Sequence, residues 1–145
     1  MQITEDKIEK IQTLLEKERQ TWSGNIQKLI KRISVAEELS DAQVDMLSYR
    51  HMLTDKIIEL NILLSKKRAN DSNYSKTRYQ YYKTNHDVRL DHREIMEYIK
   101  SDMSLRNRET NLIELQMTYY KQTIETLDKM GFAIKNKVTL ATNDI

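Results

Sequence analysis

The sequence predicts an all-α protein of long amphipathic helices, and three observations carry that expectation. Proline is absent and glycine occurs only at 24 and 131, so the two strongest breakers of regular structure are nearly missing. Apolar side chains recur at helical spacing over long stretches. Charged residues make up 32% of the 145 residues and apolar ones 39%, the balance of long helices and coiled coils rather than of a thick globular core. Such a chain is one domain or one subunit of an assembly, with partner chains helping to bury its apolar seams.

The first helix is expected over about 4–39. Thr4 followed by Glu5 and Asp6 reads as an N-cap with acid in the first turn, where the helix dipole favours negative charge. Ile8, Ile11, Leu15, Trp22, Ile26, Leu29, Ile33 and Ala36 then fall at gaps of 3, 4, 7, 4, 3, 4 and 3, a stripe that Gly24 interrupts without changing its phase. Trp22 lies on that stripe and reads as core. A helix of that span would run roughly 54 Å. Ser40 and Asp41 mark the expected boundary. The second helix carries Met46, Tyr49, Leu53, Ile57, Leu60 and Leu64 at gaps of 3, 4, 4, 3 and 4. Beyond Leu64 the in-phase positions become Arg68, Asp71, Tyr74, Arg78 and Tyr81 or Tyr82, so the apolar seam stops where a basic block begins. Asn70 to Asn73, "NDSN", could break the helix there.

Thr84-Asn85-His86-Asp87 reads as a turn, being rich in cap formers. A third helix over about 88–101 holds Ile95, Met96 and Ile99. The last long helix, about 102–130, shows two stripes: Leu112, Leu115, Tyr119, Thr123, Leu127 and Met130, and beside them Ile113, Met117, Tyr120 and Ile124. Together they make a broad apolar face. Gly131 stands where a left-handed C′ residue is expected. "FAIKNKVTL" forms a short amphipathic ending, and "ATNDI" reads as frayed. Three regions follow: 1–64 N-terminal helical, 65–93 basic and tyrosine-rich, 94–145 C-terminal helical.

Several function classes are disfavoured. Without cysteine, neither disulfides nor thiolate metal sites can form. The polar, acidic "MQITEDKIEK" is unlike a secretory or mitochondrial signal. No apolar run approaches membrane-spanning length, so no membrane is expected and the cytoplasm is the expected home. His51, His86 and His92 include no i, i+4 pair, so His86, His92, Asp87 and Asp91 read as solvated side chains near a turn. Two distant glycines exclude a Gly-rich phosphate loop, and no nucleophile elbow is present. No catalytic residue, metal or cofactor is expected.

The charge distribution is more informative than the net +2. From Lys66 to Arg93 there are eight basic residues (Lys66, Lys67, Arg68, Lys76, Arg78, Lys83, Arg89, Arg93) against three aspartates, which makes that segment +5 and leaves the remainder at −3. A local basic block on a near-neutral chain points to one anionic partner at one place. "YSKTRYQYY", Tyr74 to Tyr82, interleaves four of the eight tyrosines with a lysine and an arginine. On a helix Tyr74, Arg78, Tyr81 and Tyr82 cluster on one side, with Lys76, Tyr79 and Lys83 opposite. Either the first group continues the core seam with amphipathic rings, or cations track phosphates while rings stack on single-stranded bases.

"SKTRYQYY" resembles the lysine-alanine-arginine-leucine motif, followed by a tyrosine pair, of the UvsY recombination mediators of T4-like phages. "MGFAIKNKV" resembles that family's glycine-phenylalanine-alanine-isoleucine-lysine segment. The likeness covers most of the chain from about Lys56 onward and only loosely the first helix. It implies a non-enzymatic mediator, working in the host-cell cytoplasm as a ring-like helical bundle of about six or seven copies. Such a mediator binds single-stranded DNA coated by the phage single-strand-binding protein and helps load the phage RecA-like recombinase. The motif's basic pair becomes Lys76 and Arg78. Thr77 stands where the motif has alanine, and Tyr79 where it has leucine. The DNA-binding candidates are therefore Lys76 and Arg78 with Lys66, Lys67, Arg68, Tyr79, Tyr82, Lys83 and Arg89. The candidates for subunit contacts are Ile113, Met117, Tyr120, Ile124, Leu127, Phe132 and Ile134. The competing expectation is a structural coiled-coil adaptor or assembly chaperone with no nucleic-acid function.

Overall fold

The computed structural model describes residues 2–85 and 89–143, the side chain of Asn143 excepted. It is all-α, with no strand among the described residues. Helix α1 spans Glu5–Arg32, a short 3-10 helix Ala36–Glu38, α2 Leu39–Thr84, α3 His92–Asp102 and α4 Ser104–Asn143.

Thr4 caps α1 through its hydroxyl oxygen, which accepts from the Lys7 N–H at 3.3 Å. The helix stops seven residues earlier than its apolar period suggested. Ser34 Oγ donates to the Lys31 carbonyl at 2.7 Å, Val35 N–H bonds back three residues to Arg32, and Val35 itself is extended (φ −104°, ψ 115°). A local hydroxyl competes with the helix ladder here, flanked by two β-branched residues. The boundary thus falls at 33–35 rather than at Ser40 and Asp41. Helix α2 then runs unbroken through Asn70–Asn73, so the "NDSN" stretch does not interrupt it.

Asn85 N–H still bonds the Tyr81 carbonyl at 2.9 Å. His86 and Asp87, the rest of the expected turn, lie outside the described residues. Asp91 caps α3, its side chain accepting from the Glu94 N–H at 2.8 Å. Gly131 is not a left-handed terminus. No glycine among the described residues has positive φ, and α4 passes through it for another three turns. Nothing after Gly131 forbids a helix, and Thr139 and Thr142 return their hydroxyls to carbonyls four residues back rather than breaking the ladder. "FAIKNKVTL" is therefore a continuation of α4, and Ala141 to Asn143 are helical.

The helices divide between two compact units. One comprises Leu14–Glu59 and Leu115–Ile145. Its core is Trp22, Ile26, Leu29, Ala42, Met46, Leu53, Met117, Tyr120, Leu127, Met130 and Ile134, all buried and nearly all on the predicted stripes. Trp22 meets Tyr49 edge to face at 5.4 Å. Polar contacts set the register. Lys56 pairs with Glu18 at 2.8 Å, Arg50 with Asp128 at 2.9 Å, and Tyr119 donates to the Arg19 carbonyl at 2.9 Å. Fully buried Gln116 accepts from Arg19 at 2.6 Å and donates to the Tyr120 hydroxyl at 3.0 Å, so both ends of its amide are satisfied.

The other unit comprises Met1–Thr13 and Leu60–Glu114. Ile8, Leu64, Ile95, Ile99 and Ile113 are buried in it, and Tyr82, Ile95 and Ile99 form one cluster against Tyr79, Leu90 and Met103. This unit contains the basic block.

Candidate nucleic-acid interface

Between Leu60 and Thr84 the only acid is Asp71, and it is buried. At about 100° per residue, Lys66, Ala69, Asn73, Lys76, Gln80 and Lys83 fall within about 100° of arc on α2. All six are exposed. None of the three lysines has an ion-pair partner among the described residues. Their ammonium groups are spaced along the axis by roughly 15 Å and then roughly 10 Å. The result is a cationic, acid-free helix face whose remaining side chains are small or amide-bearing.

The opposite side of the same helix is occupied internally. Lys67 and Asp71 form a buried pair at 2.6 Å, and Asp71 also accepts from Arg106 at 3.0 Å. Arg106 lies 3.9 Å over the Tyr74 ring, a cation–π contact that covers one face of that ring. Arg68, exposed, pairs with Glu114 at 2.7 Å. Arg78 Nε donates to Asp102 Oδ2 at 3.0 Å and its Nη2 to the Tyr82 hydroxyl at 2.9 Å, while that hydroxyl donates to Asp102 Oδ2 at 2.6 Å. The guanidinium carbon sits 4.7 Å from the Tyr81 ring centre and 4.9 Å from that of Tyr82. Its bond to Tyr82, opposed by burial and reinforced by Asp102, raises the Arg78 pKa and keeps the group charged. Burial and the bond to Asp102 raise the Tyr82 pKa, so the phenol stays a donor.

The DNA-binding candidates therefore separate into two groups. Lys66, Lys76, Lys83 and Arg89 are exposed, the last just before α3. Lys67, Arg68 and Arg78 hold acids of the same unit. Tyr82 is buried and nearly parallel to Tyr98 at 5.2 Å, and Tyr79, half-buried, meets His92 Nδ1 at 3.0 Å. Tyr81 keeps 44% of its surface exposed. The open choice between core and stacking thus falls on the core side for Tyr82, while Tyr74 lies under Arg106. Sequence reasoning missed Asp102 and Arg106, whose distance along the chain hid them. It placed Lys76 and Lys83 on one side of the helix but missed that Lys66 shares their face and that the face is free of acid, which the absence of acids between Leu60 and Thr84 outside Asp71 signals.

Among the subunit-contact candidates, Ile113, Met117, Tyr120, Leu127 and Ile134 are buried within the chain itself and Ile124 is half-buried. Phe132 is 67% exposed. It borders an open groove of about 590 Å³ lined also by Gln43, Met46, Leu47, Arg50 and Leu127. Among the described residues no three His, Asp or Glu side chains group as a metal site requires. No described helix is long and apolar enough to cross a membrane.

No protein-family model matches the chain, and no curated protein or solved structure matches it either.

Proposed function

We propose that the chain binds single-stranded DNA along the exposed face of α2 and acts as a non-enzymatic recombination mediator. The observation that carries the DNA reading is that face itself: Lys66, Lys76 and Lys83 stand on one side of one helix, without acid among them and without ion-pair partners among the described residues. Unpaired lysines follow a phosphate backbone by releasing its counterions, with little regard to base sequence. Arg89, exposed just before α3, is a further candidate. The resemblance of "SKTRYQYY" and "MGFAIKNKV" to the UvsY mediators supports the more specific form of the reading. In that form the partners are a RecA-like recombinase and a single-strand-binding protein, and the active species is a ring of about six or seven copies in the host cytoplasm. A ring would repeat the lysine face around its circumference and make weak contacts by single subunits add up to tight binding.

The test is fluorescence anisotropy of labelled poly-thymidine over a series of salt concentrations, with the parent and with Lys66→Ala/Lys76→Ala/Lys83→Ala. The parent should bind with a steep log-log salt slope. The triple variant should lose about 2 units of that slope, at about 0.7 per phosphate contact, with its helicity unchanged because all three side chains are exposed. A parent that ignores poly-thymidine even at low salt would end the DNA reading.

The second reading, a structural adaptor, is favoured by a different observation. Leu47 and Phe132, 70% and 67% exposed, border an apolar groove suited to a protein partner. Absence of DNA binding together with stable association through that groove would support it.

A further inference from the structure

We propose that Asp102 holds Arg78 in reserve. Its carboxylate occupies the place on the guanidinium that a DNA phosphate would take, so the contact between α2 and α3 limits how many phosphates the protein engages. This inference rests on the DNA reading above and extends it off the lysine face: Arg78 stands on the opposite side of α2, so the phosphate it would take belongs to strand that continues past that face toward the α2–α3 contact. Carboxylate and phosphate are interchangeable ligands for an arginine fork, since both accept its parallel N–H groups through anionic oxygens. Among the described residues, three ion pairs made by cations of the basic block on α2 differ in access, and Arg68–Glu114, with side chains 62% and 45% exposed, is the most open. The Lys67–Asp71 pair is closed, with side chains 7% and 12% exposed. The Arg78–Asp102 pair is 30% and 23% exposed, so an incoming anion can reach it. Arg78 is also held in place without Asp102. Its Nη2 bonds the Tyr82 hydroxyl and its plane lies close to the Tyr81 and Tyr82 rings, so loss of the carboxylate charge need not release the side chain into solvent. Tyr81, 44% exposed beside it, leaves ring surface next to the captured phosphate.

Asp102 is the last residue of α3, which is further anchored to α2 by the Tyr82–Ile95–Ile99 cluster and by Tyr79 against His92. The apolar cluster and the Tyr79–His92 contact do not use the carboxylate; the Tyr82 hydroxyl does, and an asparagine amide oxygen can still accept from it. Neutralising it therefore changes the charge at Arg78 while leaving the helix docked.

The experiment is a double-mutant cycle read by poly-thymidine anisotropy against salt: parent, Asp102→Asn, Arg78→Gln and the double variant, with helicity checked by circular dichroism. Asp102→Asn should bind several-fold more tightly than the parent, and its salt slope should steepen by about 0.7, one added phosphate contact. In the Arg78→Gln background the same substitution should give no such gain. Should Asp102→Asn lose helicity, Asp102→Ser removes the same charge and is read in the same way. A gain that persists without Arg78 would mean only that an acid had been removed near DNA, and would overturn the inference. So would unchanged affinity and slope in Asp102→Asn beside a parent that binds; the DNA reading would survive that result. A parent that does not bind at all would overturn both.

Discussion

Tyr82 donates its hydroxyl to Asp102 at 2.6 Å and receives Arg78 at 2.9 Å, while its ring is 8% exposed among Ile95 and Ile99. One residue thus ties the basic segment of α2 to α3 through both its apolar body and its polar tip. Tyr82→Phe keeps the ring and removes the bridge, and should cost about 1.5 kcal/mol in a urea titration, the range for a hydrogen bond to a charged group. Glu18 allows a prediction about pH. Burial disfavours its charge, but the Lys56 ammonium 2.8 Å away and the nearby polar groups of Tyr120 and Trp22 outweigh this and leave its pKa below the ordinary 4.5. A carboxyl whose folded pKa is depressed contributes stability that is present above its unfolded value and lost as pH falls through the folded one. Glu18→Gln should therefore be less stable than the parent at neutral pH, and the gap should close as pH drops below 4.5. A gap independent of pH would mean that the ion pair contributes nothing through charge.

At the scale of the element, the helices are longer than any local signal marks. Gly131 interrupts nothing, because a helix needs only that no residue forbid it, and the left-handed cap was available but unused. Both glycines lie inside helices, and a methyl group added at either would meet nothing within 4 Å beyond its chain neighbours and its own helix backbone. Gly24→Ala and Gly131→Ala should each raise stability by about 0.5–1 kcal/mol by removing backbone freedom from the unfolded chain. Thermal unfolding followed by circular dichroism checks both, and a loss of stability in either would place a constraint at that glycine which the helix does not contain. The break at 33–35 has the opposite cause. There the apolar period continues through Ile33 and Ala36, yet Ser34 takes the Lys31 carbonyl and the helix ends.

At the scale of the whole molecule, the chain has two compact units and an uneven charge, +5 from Lys66 to Arg93 and −3 over the remainder. The exposed apolar residues of the Leu14–Glu59 and Leu115–Ile145 unit include Leu47, Phe132, Val138 and Leu140, each more than half exposed. Isolated apolar side chains on a surface need no explanation, but a groove edged by two of them invites a partner. Under the proposed assembly, the parent should sediment as an oligomer. Phe132→Glu with Leu47→Glu should shift it toward monomer without loss of helicity, since neither residue is part of a buried core. A parent that is monomeric at all concentrations would remove the ring from the proposed mechanism while leaving the lysine face to be tested on its own.

Periodicity alone was sufficient for the all-α class and for most of the core. The stripes through Ile8, Trp22 and Leu29, through Met46, Leu53 and Leu64, and through Ile113, Met117 and Tyr120 are buried at those positions, because a helix repeats every 3.6 residues whatever it packs against. On the neighbouring stripe Leu127 and Met130 are buried and Leu115 is exposed. The segment that carries the candidate site was also legible, since charge density is a property of the chain. Which cations in it face outward was not. Lys67, Arg68 and Arg78 look like Lys66, Lys76 and Lys83 until Asp71, Glu114 and Asp102 are brought beside them, and two of those acids are 24 or more residues distant along the chain. Charge pairing across helices is decided only when the helices pack. The sequence therefore determined where positive charge is dense, and the tertiary structure alone decided which of it is left over for a ligand.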